Sequence, residues 1–426
     1  MNVRLAYGRS GLDIEVPDAR TTVVEPTHVP GAEDETGALR AALAAPVAGP
    51  RLRDLARPGQ SVAISICDGT RAQPRHLMVP AVLEELAGIV EDRDVVIMVA
   101  TGTHRGNSDA ELREMLGEEI VERIEVVNHD ARASETLVDL GVHGNGVPVK
   151  VNRRWVEADL RITTGFVEPH FFAGFSGGPK LVTPGLAGLD TVLVLHDAAR
   201  IGHPKATWGV VYGNPIHDDV RAAAAAAPAP FSFDVILNRE QRIIAAYAGE
   251  MQPMHDAACA DARRYAMQGV TAPFDVVVTS NSGFPLDQNL YQAVKGMSAA
   301  AKIVKDGGTI VCAAECRDGF PGHGSFRELL GSRGSPSELI EAITTAPKVV
   351  PDQWQVQIQA NIQSRADVHF YSDFLSDVEL REAHLTPTHD VSATVEEALA
   401  AAGPDATLCV LPEGPQTIAF VEGGRS

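Results

Sequence analysis

Reactive side chains are concentrated in one short stretch, EPHFFAGFSGGPK, which spans residues 168–180. It combines a carboxylate, an imidazole and a lysine with three phenylalanines and a glycine pair, Gly177 and Gly178. A core strand disfavours consecutive glycine and proline, whereas an exposed loop rarely carries so many large apolar rings. Glycine also lets the backbone approach a ligand closely. The composition therefore predicts a loop that forms one wall of a buried site.

Lys180, the last residue of this stretch, suits three chemical roles. It is compatible with a solvated amine, with a contact to phosphate, and with an amine joined covalently to a cofactor. Ser176 lies four residues before it, which differs from the Ser-x-x-Lys spacing of penicillin-recognising enzymes. The chain has no GxGxxG after a predicted strand and no GxxxxGK followed by Ser or Thr. It therefore lacks both the common dinucleotide fingerprint and the P-loop.

Two further segments place polar side chains directly after predicted strands. CDGTRAQP contains Asp68 and Arg71, and ATGTHRG contains His104. Asp68 suits helix capping equally well, whereas the guanidinium of Arg71 is suited to bidentate recognition of a carboxylate or phosphate. Imidazole side chains transfer protons readily near neutral pH, which makes His104 a candidate acid or base.

Two later segments complete the set of candidates. LVLHDAARIGHP contains His196, and SGFPLDQNLYQAVKGM contains Tyr291, Gln292 and Lys295. The last three share one face if the segment is helical, although the polar edge of any surface helix has the same pattern. The histidines follow no HExxH spacing, so spacing alone predicts no metal site.

These segments must be positioned by an alternation of short apolar runs and helical stretches. SVAISICD precedes HLMVPAVLEELAGIV, and ADLRITTGF precedes the 168–180 stretch; FDVVVTS opens a second alternating set. The alternation predicts an α/β fold with mostly parallel sheets flanked by helices, whose ligands collect beyond the carboxyl ends of the strands. We predict an N-terminal α/β domain over 1–250, a connecting helix over 251–272 and a C-terminal α/β domain over 273–426. The site is expected in the cleft between the domains.

The overall composition argues against several partners. The chain has 36 Lys and Arg against 56 Asp and Glu, a net charge of −20, which disfavours general binding to nucleic acid or to an anionic membrane. Five cysteines without a CxxC pair indicate neither a disulfide framework nor a structural zinc site. No signal-peptide pattern and no uninterrupted apolar stretch of membrane-spanning length is present. We therefore expect a cytoplasmic protein.

Five sequence features, taken in order along the chain, carry a family resemblance. DGTR, ATGTHR, EPHFFAGFSGGPK, His196 sixteen residues after Lys180, and LYQAVKGM together resemble the nickel-dependent lactate racemase family. The likeness extends from the N-terminal hairpin to beyond Trp354. It implies a two-domain protein with its site in the interdomain cleft. It also implies nickel (Ni) and the nickel pincer nucleotide, a pyridinium thioamide/thiocarboxylate mononucleotide that separate enzymes synthesise.

The resemblance assigns a role to each matching residue. Lys180 matches the lysine that forms a thioamide with the cofactor, His196 the protein ligand of nickel, and His104 and His170 the catalytic pair of imidazoles. The remaining assignments are substrate binding by Arg71, Tyr291, Gln292 and Lys295, and cofactor binding by Asp68, Gly177, Gly178 and Trp354. Imidazole is a reasonable ligand for nickel, so the metal assignment is chemically coherent.

The reaction that the resemblance implies is racemisation or epimerisation of a lactate-like 2-hydroxycarboxylic acid. One histidine takes the hydroxyl proton, the hydride on the α-carbon moves reversibly to the cofactor ring, and a planar 2-oxo acid accepts it back on the other face. Malate, a longer or aromatic 2-hydroxy acid and a sugar acid are alternative substrates. A non-catalytic cofactor-storage protein, and an NAD- or pyridoxal-phosphate-dependent enzyme with Lys180 as its Schiff-base residue, are the alternatives from other classes.

Overall fold

The computed structural model describes residues 1–322 and 324–423. In chain order, its strands are β1 (Asn2–Leu5), β2 (Leu12–Glu15), β3 (Thr21–Val23), β4 (Val62–Cys67), β5 (Val95–Ala100), β6 (Glu125–Asn128), β7 (Leu137–His143), β8 (Val147–Asn152), β9 (Leu160–Phe166), β10 (Pro169–His170), β11 (Gly174–Phe175), β12 (Phe231–Leu237), β13 (Ile243–Gly249), β14 (Met267–Val270), β15 (Phe274–Ser280), β16 (Val304–Ala313), β17 (Asp367–Tyr371), β18 (Thr386–Pro387), β19 (Leu408–Leu411) and β20 (Ile418–Val421).

The α-helices of the same described residues follow, again in chain order. They are α1 (Glu35–Ala44), α2 (Leu52–Leu55), α3 (Arg75–Leu86), α4 (Asp109–Leu116), α5 (Glu118–Arg123), α6 (Arg153–Glu157), α7 (Leu189–Leu195), α8 (Ala198–Ile201), α9 (Pro215–Ala224), α10 (Met251–Ala266), α11 (Leu290–Ala300), α12 (Phe326–Leu330), α13 (Pro336–Thr345), α14 (Gln353–Gln363), α15 (Asp377–Glu382) and α16 (Val391–Ala402). A short 3-10 turn over Gly178–Leu181 carries Lys180.

The chain forms two compact units. The N-terminal unit comprises His28–His196 and Lys205–Arg264. The C-terminal unit comprises Met1–Thr27, Asp197–Pro204 and the described residues from Tyr265 onward. Each unit contains one six-stranded sheet, and all neighbours in these two sheets are parallel except β12 and β13. The predicted α/β class with mostly parallel, helix-flanked sheets is confirmed.

The sheet of the N-terminal unit has the strand order β13-β12-β9-β4-β5-β6. Strand β4, VAISIC, is buried at every position, as expected for a parallel strand covered by helices on both faces. The chain runs from β4 to β5 and β6 on one side, and β9 and β12 lie on its other side. The order therefore reverses between β4 and β9, and ligands of open α/β sheets bind in the crevice at such a point.

The sheet of the C-terminal unit has the order β18-β17-β16-β15-β19-β3. Here β15 leads through α11 to β16, while β19 and β3 lie on its other side, so the order reverses between β15 and β19. Buried side chains of α11, among them Leu290 and Met297, belong to the core of this unit together with Val277 of β15. Gly296 of α11 packs against Ser280, the last residue of β15.

The unit boundaries differ from the division predicted from sequence. The first 27 residues belong to the C-terminal unit, because β3 pairs with β19, a strand almost 400 residues later in the chain. The predicted connecting helix over 251–272 ends at Ala266. The next residues form β14 instead, because Met267–Val270 pairs with Ile418–Val421. That 1–250 and 273–426 fold as independent domains remains a prediction.

The sequence predicts one hairpin from VRLAYG to LDIEVP, residues 3–17, and another in FDVILNREQRIIAAYAG, residues 233–249, and both are present. Strands β1 and β2 pair antiparallel, and so do β12 and β13. Within the part of the chain that the structure describes, no helix has the length and apolar character needed to cross a membrane.

Candidate functional site at the carboxyl ends of the strands

Asp68 and His104 lie at the carboxyl ends of adjacent strands and are hydrogen bonded to each other. Asp68 follows β4 directly, and His104 lies in the turn after β5. The distance from His104 Nδ1 to Asp68 Oδ2 is 2.7 Å, with the aspartate side chain 4% exposed and the histidine side chain 48% exposed. Because an ionised carboxylate only accepts, Nδ1 carries the proton and Nε2 keeps its lone pair. The pair therefore leaves a basic nitrogen, His104 Nε2, on a side chain that is partly exposed to solvent.

The charge of Asp68 is stabilised by its surroundings. Burial alone raises the pKa of Asp68, but the hydrogen bond from His104, the charges of His104 and Arg71 and a hydrogen bond from Thr70 outweigh it. The net effect is a pKa below the ordinary value. Asp68 is therefore an anion at neutral pH, and it accepts the hydrogen bond that His104 Nδ1 donates.

The loop that carries Asp68 and Arg71 is held by a residue that the sequence did not single out. Arg75 is 6% exposed, and its guanidinium donates to the carbonyl oxygens of Cys67, Asp68, Arg71 and Gln73. Four carbonyls satisfied by one buried cation fix the path of the loop after β4. The side chain of Arg71 is exposed, and its backbone N–H donates to the carbonyl oxygen of Asp68 at 3.2 Å.

His170 has the opposite hydrogen-bonding pattern to His104. It lies in the small hairpin of β10 and β11, and its Nδ1 accepts from the backbone N–H of Ala173 at 3.2 Å and of Phe172 at 3.5 Å. Since Nδ1 accepts, the proton of the neutral ring is on Nε2. His170 therefore presents a donor where His104 presents an acceptor.

Phe172 brings three of the predicted residues together. Its buried ring lies edge-on to His170 at 4.5 Å and to His196 at 5.3 Å between ring centroids. The Nζ atom of Lys180 is 5.9 Å from the same ring centroid. Phe172 is thus surrounded by His170, Lys180 and His196. This agrees with the prediction that the 168–180 loop forms one wall of a buried site.

His196 has a defined tautomer. It caps the C-terminus of α7, and its Nδ1 donates to the carbonyl of Val192 at 2.7 Å. A carbonyl only accepts, so the lone pair of the neutral ring is on Nε2. A backbone partner on one ring nitrogen is the usual arrangement for a metal-binding histidine.

The turn that carries Lys180 is attached to the sheet. Ser65 of β4 donates from Oγ to Leu181 O at 2.7 Å, and the amide of Gly102, after β5, donates to Gly185 O at 2.9 Å. Lys180 itself is half-buried. The turn therefore lies at the same edge of the sheet as the loops that carry Asp68 and His104.

Gly177 and Gly178 are required by the shape of this turn. Their φ angles are +77° and +50°, a region that other residues rarely adopt. A Cβ on Gly177 would lie 2.7 Å from Asp234 Oδ2, and a Cβ on Gly178 would lie 2.6 Å from the His255 ring. The two glycines therefore pack closely against buried polar side chains, whatever further contact they make with a ligand.

The remaining predicted residues lie together in the C-terminal unit. Lys295 Nζ donates to Gln292 Oε1 at 2.8 Å, and both residues lie on α11. Trp354 of α14 donates from Nε1 to the hydroxyl of Tyr291 at 3.2 Å. The structure thus groups the predicted residues by unit: Asp68, Arg71, His104, His170, Gly177, Gly178, Lys180 and His196 in one, and Tyr291, Gln292, Lys295 and Trp354 in the other. Over residues 1–322 and 324–423, no three His, Cys, Asp or Glu side chains are grouped so as to hold a metal by themselves.

Comparison with known proteins identifies the family. Sequence profiles of the lactate racemase N-terminal domain and C-terminal domain match residues 7–209 and 270–419. The chain is 35% identical over 422 residues to the lactate racemase of Thermoanaerobacterium thermosaccharolyticum, covering 98% of this chain and 99% of that protein. It is 37% identical over 372 residues to the lactate racemase of Lactiplantibacillus plantarum, covering 87% of each.

The chain belongs to the lactate racemase family. It is accordingly an enzyme of the isomerase class. The structure of the lactate racemase apoprotein from Thermoanaerobacterium thermosaccharolyticum superposes with a TM-score of 0.91 and covers 98% of this chain and 100% of its own. A crystal structure from Thermotoga maritima, at 19% identity, superposes with a TM-score of 0.68 over 93% of this chain and 100% of its own, and shows the fold alone.

In this member of the lactate racemase family, several residues that pack around the site gave little or no sequence signal. Arg75 stands at the start of α3, where an exposed charge is ordinary. Asp234 lies inside a strand, and His217 and His255 lie inside helices, so that each resembles a scattered polar residue. A polar side chain within a buried strand such as β12, FSFDVIL, was the single local hint.

Proposed function

We propose that this chain racemises or epimerises a lactate-like 2-hydroxycarboxylic acid, using His104 and His170 as the proton-transferring pair and a nickel pincer nucleotide bound through Lys180. The observation that carries the proposal is the complementary state of the two imidazoles. His104 presents a lone pair on Nε2 beside the carboxylate of Asp68, whereas His170 presents a proton on Nε2. Inversion needs a base that removes the hydroxyl proton and an imidazolium that returns one. His104 has the free lone pair of the base, and His170 carries the Nε2 proton that would be transferred once its Nδ1 is also protonated.

The residues present fit the proposed cofactor. Lys180 is half-buried, next to the aromatic ring of Phe172, on a turn whose glycines leave no space for side chains of their own. Lys180 would hold the nucleotide through a thioamide, and Nε2 of His196 would be the nickel ligand, since Nδ1 is engaged with Val192. When bound, this group supplies a site that accepts a hydride from the substrate carbon and returns it.

The acid and base steps follow from the hydrogen bonds of the two histidines. His104 Nε2 accepts the hydroxyl proton as the C–H bond breaks, and the resulting imidazolium is stabilised by Asp68, which lies 2.7 Å from its other nitrogen. The substrate becomes a planar 2-oxo acid. In this direction His170 acts as an imidazolium, which needs a proton on Nδ1 in place of the bonds that Ala173 and Phe172 donate to it, and its Nε2–H then protonates the oxygen. The opposite direction requires His170 to present a lone pair, and therefore a change at the bonds that Ala173 and Phe172 make to Nδ1.

Substrate binding and water exclusion complete the proposal. Arg71, exposed at the end of β4, would bind the substrate carboxylate. Tyr291, Gln292 and Lys295 are proposed as further substrate contacts, and Asp68, Gly177, Gly178 and Trp354 as cofactor contacts. The phenylalanines of the 168–180 stretch are at most 8% exposed, so they keep water from an intermediate that hydride transfer generates. The five cysteines are free and buried, which supports a reducing, cytoplasmic location.

The test is to express the chain together with the enzymes that make the nucleotide and to assay a panel of 2-hydroxy acids. Intact mass should show an adduct on Lys180, elemental analysis should show nickel, and one enantiomer of lactate should convert to the other. Faster inversion of malate, an aromatic 2-hydroxy acid or a sugar acid would reassign the substrate. Fully loaded protein that is inert across the panel would instead favour cofactor storage. Protein active without the adduct would refute the cofactor assignment.

A further inference from the structure

A cluster of buried polar side chains lies directly behind the 168–180 loop and has no role in the reaction described above. It consists of His217 of α9, Asp234 of β12 and His255 of α10, which we call the loop-support cluster. Their exposed fractions are 2%, 0% and 0%. All three belong to the same compact unit as the loop. Burial of polar groups is unfavourable unless each is hydrogen bonded, so their partners are informative.

Each member of the cluster bonds a different backbone group of the loop. His217 Nδ1 donates to the carbonyl of Ala173 at 3.0 Å, and His255 Nε2 donates to the carbonyl of Ser176 at 2.8 Å. Asp234 Oδ2 accepts from the amide of Gly178 at 2.7 Å. The three bonds are therefore spaced along the loop between His170 and Lys180. The loop satisfies only part of its own backbone, as in the bonds from Phe175 N to Ala173 O and from Ser176 N to Glu168 O, and the cluster provides further partners.

The protonation states of the histidines agree with this arrangement. A carbonyl accepts only, so each ring must carry its proton on the bonded nitrogen. Burial, together with the charge of Arg221, lowers the pKa of His217 to about 3. Burial lowers the pKa of His255 to about 4. Both rings are therefore neutral and stacked, with centroids 5.7 Å apart and planes at 10°. Each ring holds one fixed tautomer.

The cluster also limits where the loop can lie. Gly177 and Gly178 contact Asp234 and His255 so closely that a methyl group does not fit at either glycine. The backbone before Lys180 is thus held by hydrogen bonds and by steric contact with the same side chains. A displaced loop would lose both at once, because its bonds and its contacts have the same partners.

We propose that His217, Asp234 and His255 are positioning residues that hold the loop between His170 and Lys180 in the geometry required for attachment of the cofactor to Lys180. This inference rests on the proposed function for the identity of the attached group. It assigns to the second half of the N-terminal unit a direct part in forming the site. None of the three residues touches the substrate in this scheme; they act through the loop backbone.

The test uses matched pairs of variants that keep or remove each hydrogen bond. Asn approximates the Nδ1 position of histidine and Gln the Nε2 position, so the bond-keeping variants are His217→Asn, His255→Gln and Asp234→Asn. The bond-removing variants are His217→Leu, His255→Met and Asp234→Val. His76→Gln, at an exposed histidine of α3, is the surface control. Each variant is expressed with the cofactor-making enzymes, and the loaded fraction at Lys180 is measured by intact mass.

A second readout is independent of the cofactor. Hydrogen–deuterium exchange of the loop amides, residues 173–178, is followed in protein expressed without the cofactor-making enzymes. We expect bond-removing variants to exchange these amides about tenfold faster and to load Lys180 about tenfold less, the effect of one lost buried hydrogen bond. Bond-keeping variants should stay within about threefold of the unsubstituted protein, since the atom that makes the hydrogen bond to the loop is retained.

Equal exchange and equal loading within every pair would overturn the proposal, because the side chains would then act only by filling space. Faster exchange with unchanged loading would also overturn it, since the loop would not need to be held for attachment. Absence of any adduct on Lys180 in the unsubstituted protein would count against the proposed function, while the exchange data would still show whether the cluster holds the loop. The three pairs are independent, so a pair with an unfolded member, judged by circular dichroism, leaves two to decide.

Discussion

Asp68 and His104, separated by 36 residues in sequence, meet with a 2.7 Å hydrogen bond at the ends of two adjacent parallel strands. The bond gives His104 a single tautomer and places an anion against the ring that must become cationic when it accepts a proton. Parallel neighbours end at the same edge of a sheet, so residues that follow β4 and β5 are brought together by the fold itself. The relationship makes Asp68 an orienting residue for His104, in addition to the cofactor contact assigned to it by family resemblance.

Substitution of Asp68 by Asn tests this relationship. The amide keeps the size of the side chain but removes the charge that stabilises the imidazolium, so kcat should fall by about a hundredfold or more. Lys180 loading, measured by intact mass, should change little. Thr70→Ala, which removes only the hydroxyl that donates to Asp68, is the milder control. A variant Asp68→Asn with kcat within twofold of the unsubstituted protein would exclude an orienting role.

Replacement of either of the histidines proposed as catalytic, His104 and His170, should nearly abolish turnover. His104→Ala and His170→Ala each remove one of the two proton-transferring groups, and a loss of at least about a hundredfold is expected. Nickel and the adduct on Lys180 should remain, as elemental analysis and intact mass would report. Full activity in either variant would reject the assignment of the pair.

Substitutions of Lys180 and His196 should distinguish attachment of the organic group from binding of the metal. Lys180→Ala removes the only proposed covalent link, so the adduct mass should disappear. His196→Ala should retain the adduct while its nickel content falls, because the metal loses its protein ligand. Equal nickel in His196→Ala and in the unsubstituted protein would show that this histidine is not the ligand.

Gly178→Ala should destabilise the protein more than the same change at a glycine in open space. At Gly178 the added methyl group meets both an unfavourable φ of +50° and the His255 ring, at 2.6 Å. Gly59 also has a positive φ, +78°, but no described atom lies within 4 Å of its added Cβ. Gly178→Ala should therefore lose at least about 1 kcal/mol more stability than Gly59→Ala. Chemical denaturation of both variants measures the difference, and equal losses would show that the turn has room to relax.

The pH dependence of stability should reveal the burial of Asp234. Burial raises the pKa of this carboxyl to about 7, against 3.8 in its ordinary state, although backbone amides of Gly178 and Gly165 oppose the shift. Between these values the folded protein holds a proton that the unfolded chain releases, so the contribution of the group to stability falls as pH rises. The slope is up to about 1.4 kcal/mol per pH unit.

Asp234→Asn removes this titration and keeps the acceptor for Gly178. The stability of the variant relative to the unsubstituted protein should therefore increase as pH rises from 4 to 7. The buried histidines are common to both proteins and cancel in the comparison. Denaturation at pH 4, 5.5 and 7 tests the trend, and a difference that does not change with pH would show that the folded carboxyl titrates normally.

Much of the architecture was accessible from local sequence. The apolar runs that form β4, β5, β9 and β15 predicted strands, and the helical patterns between them predicted a mostly parallel sheet. Both patterns are local because each reflects the burial of the element that contains it. The hairpin β12–β13 was likewise predicted from one continuous segment, FDVILNREQRIIAAYAG. The motifs that resemble the family are equally local, and membership of that family is confirmed.

Elements and residues that depend on distant partners were less accessible. Residues 1–27 were predicted as part of the N-terminal domain, but β3 pairs with β19 within the C-terminal unit. Residues 267–272 were predicted as helix, but four of them pair with β20. Such pairings depend on which strand edges are exposed after the rest of the sheet has formed, and no nearby residue encodes that.

The sequence by itself determined the α/β class and the family and supplied the candidate site residues, because periodicity and motifs each depend on residues that are close together in the chain. Only the tertiary structure decided which nitrogen of each histidine carries the proton and which buried side chains bind the loop before Lys180. His104 takes its tautomer from Asp68, and the loop before Lys180 takes its backbone partners from residues 217, 234 and 255. A hydrogen bond needs its two atoms about 3 Å apart, and for residues so distant in the chain only the packed sheet and helices bring them to that separation.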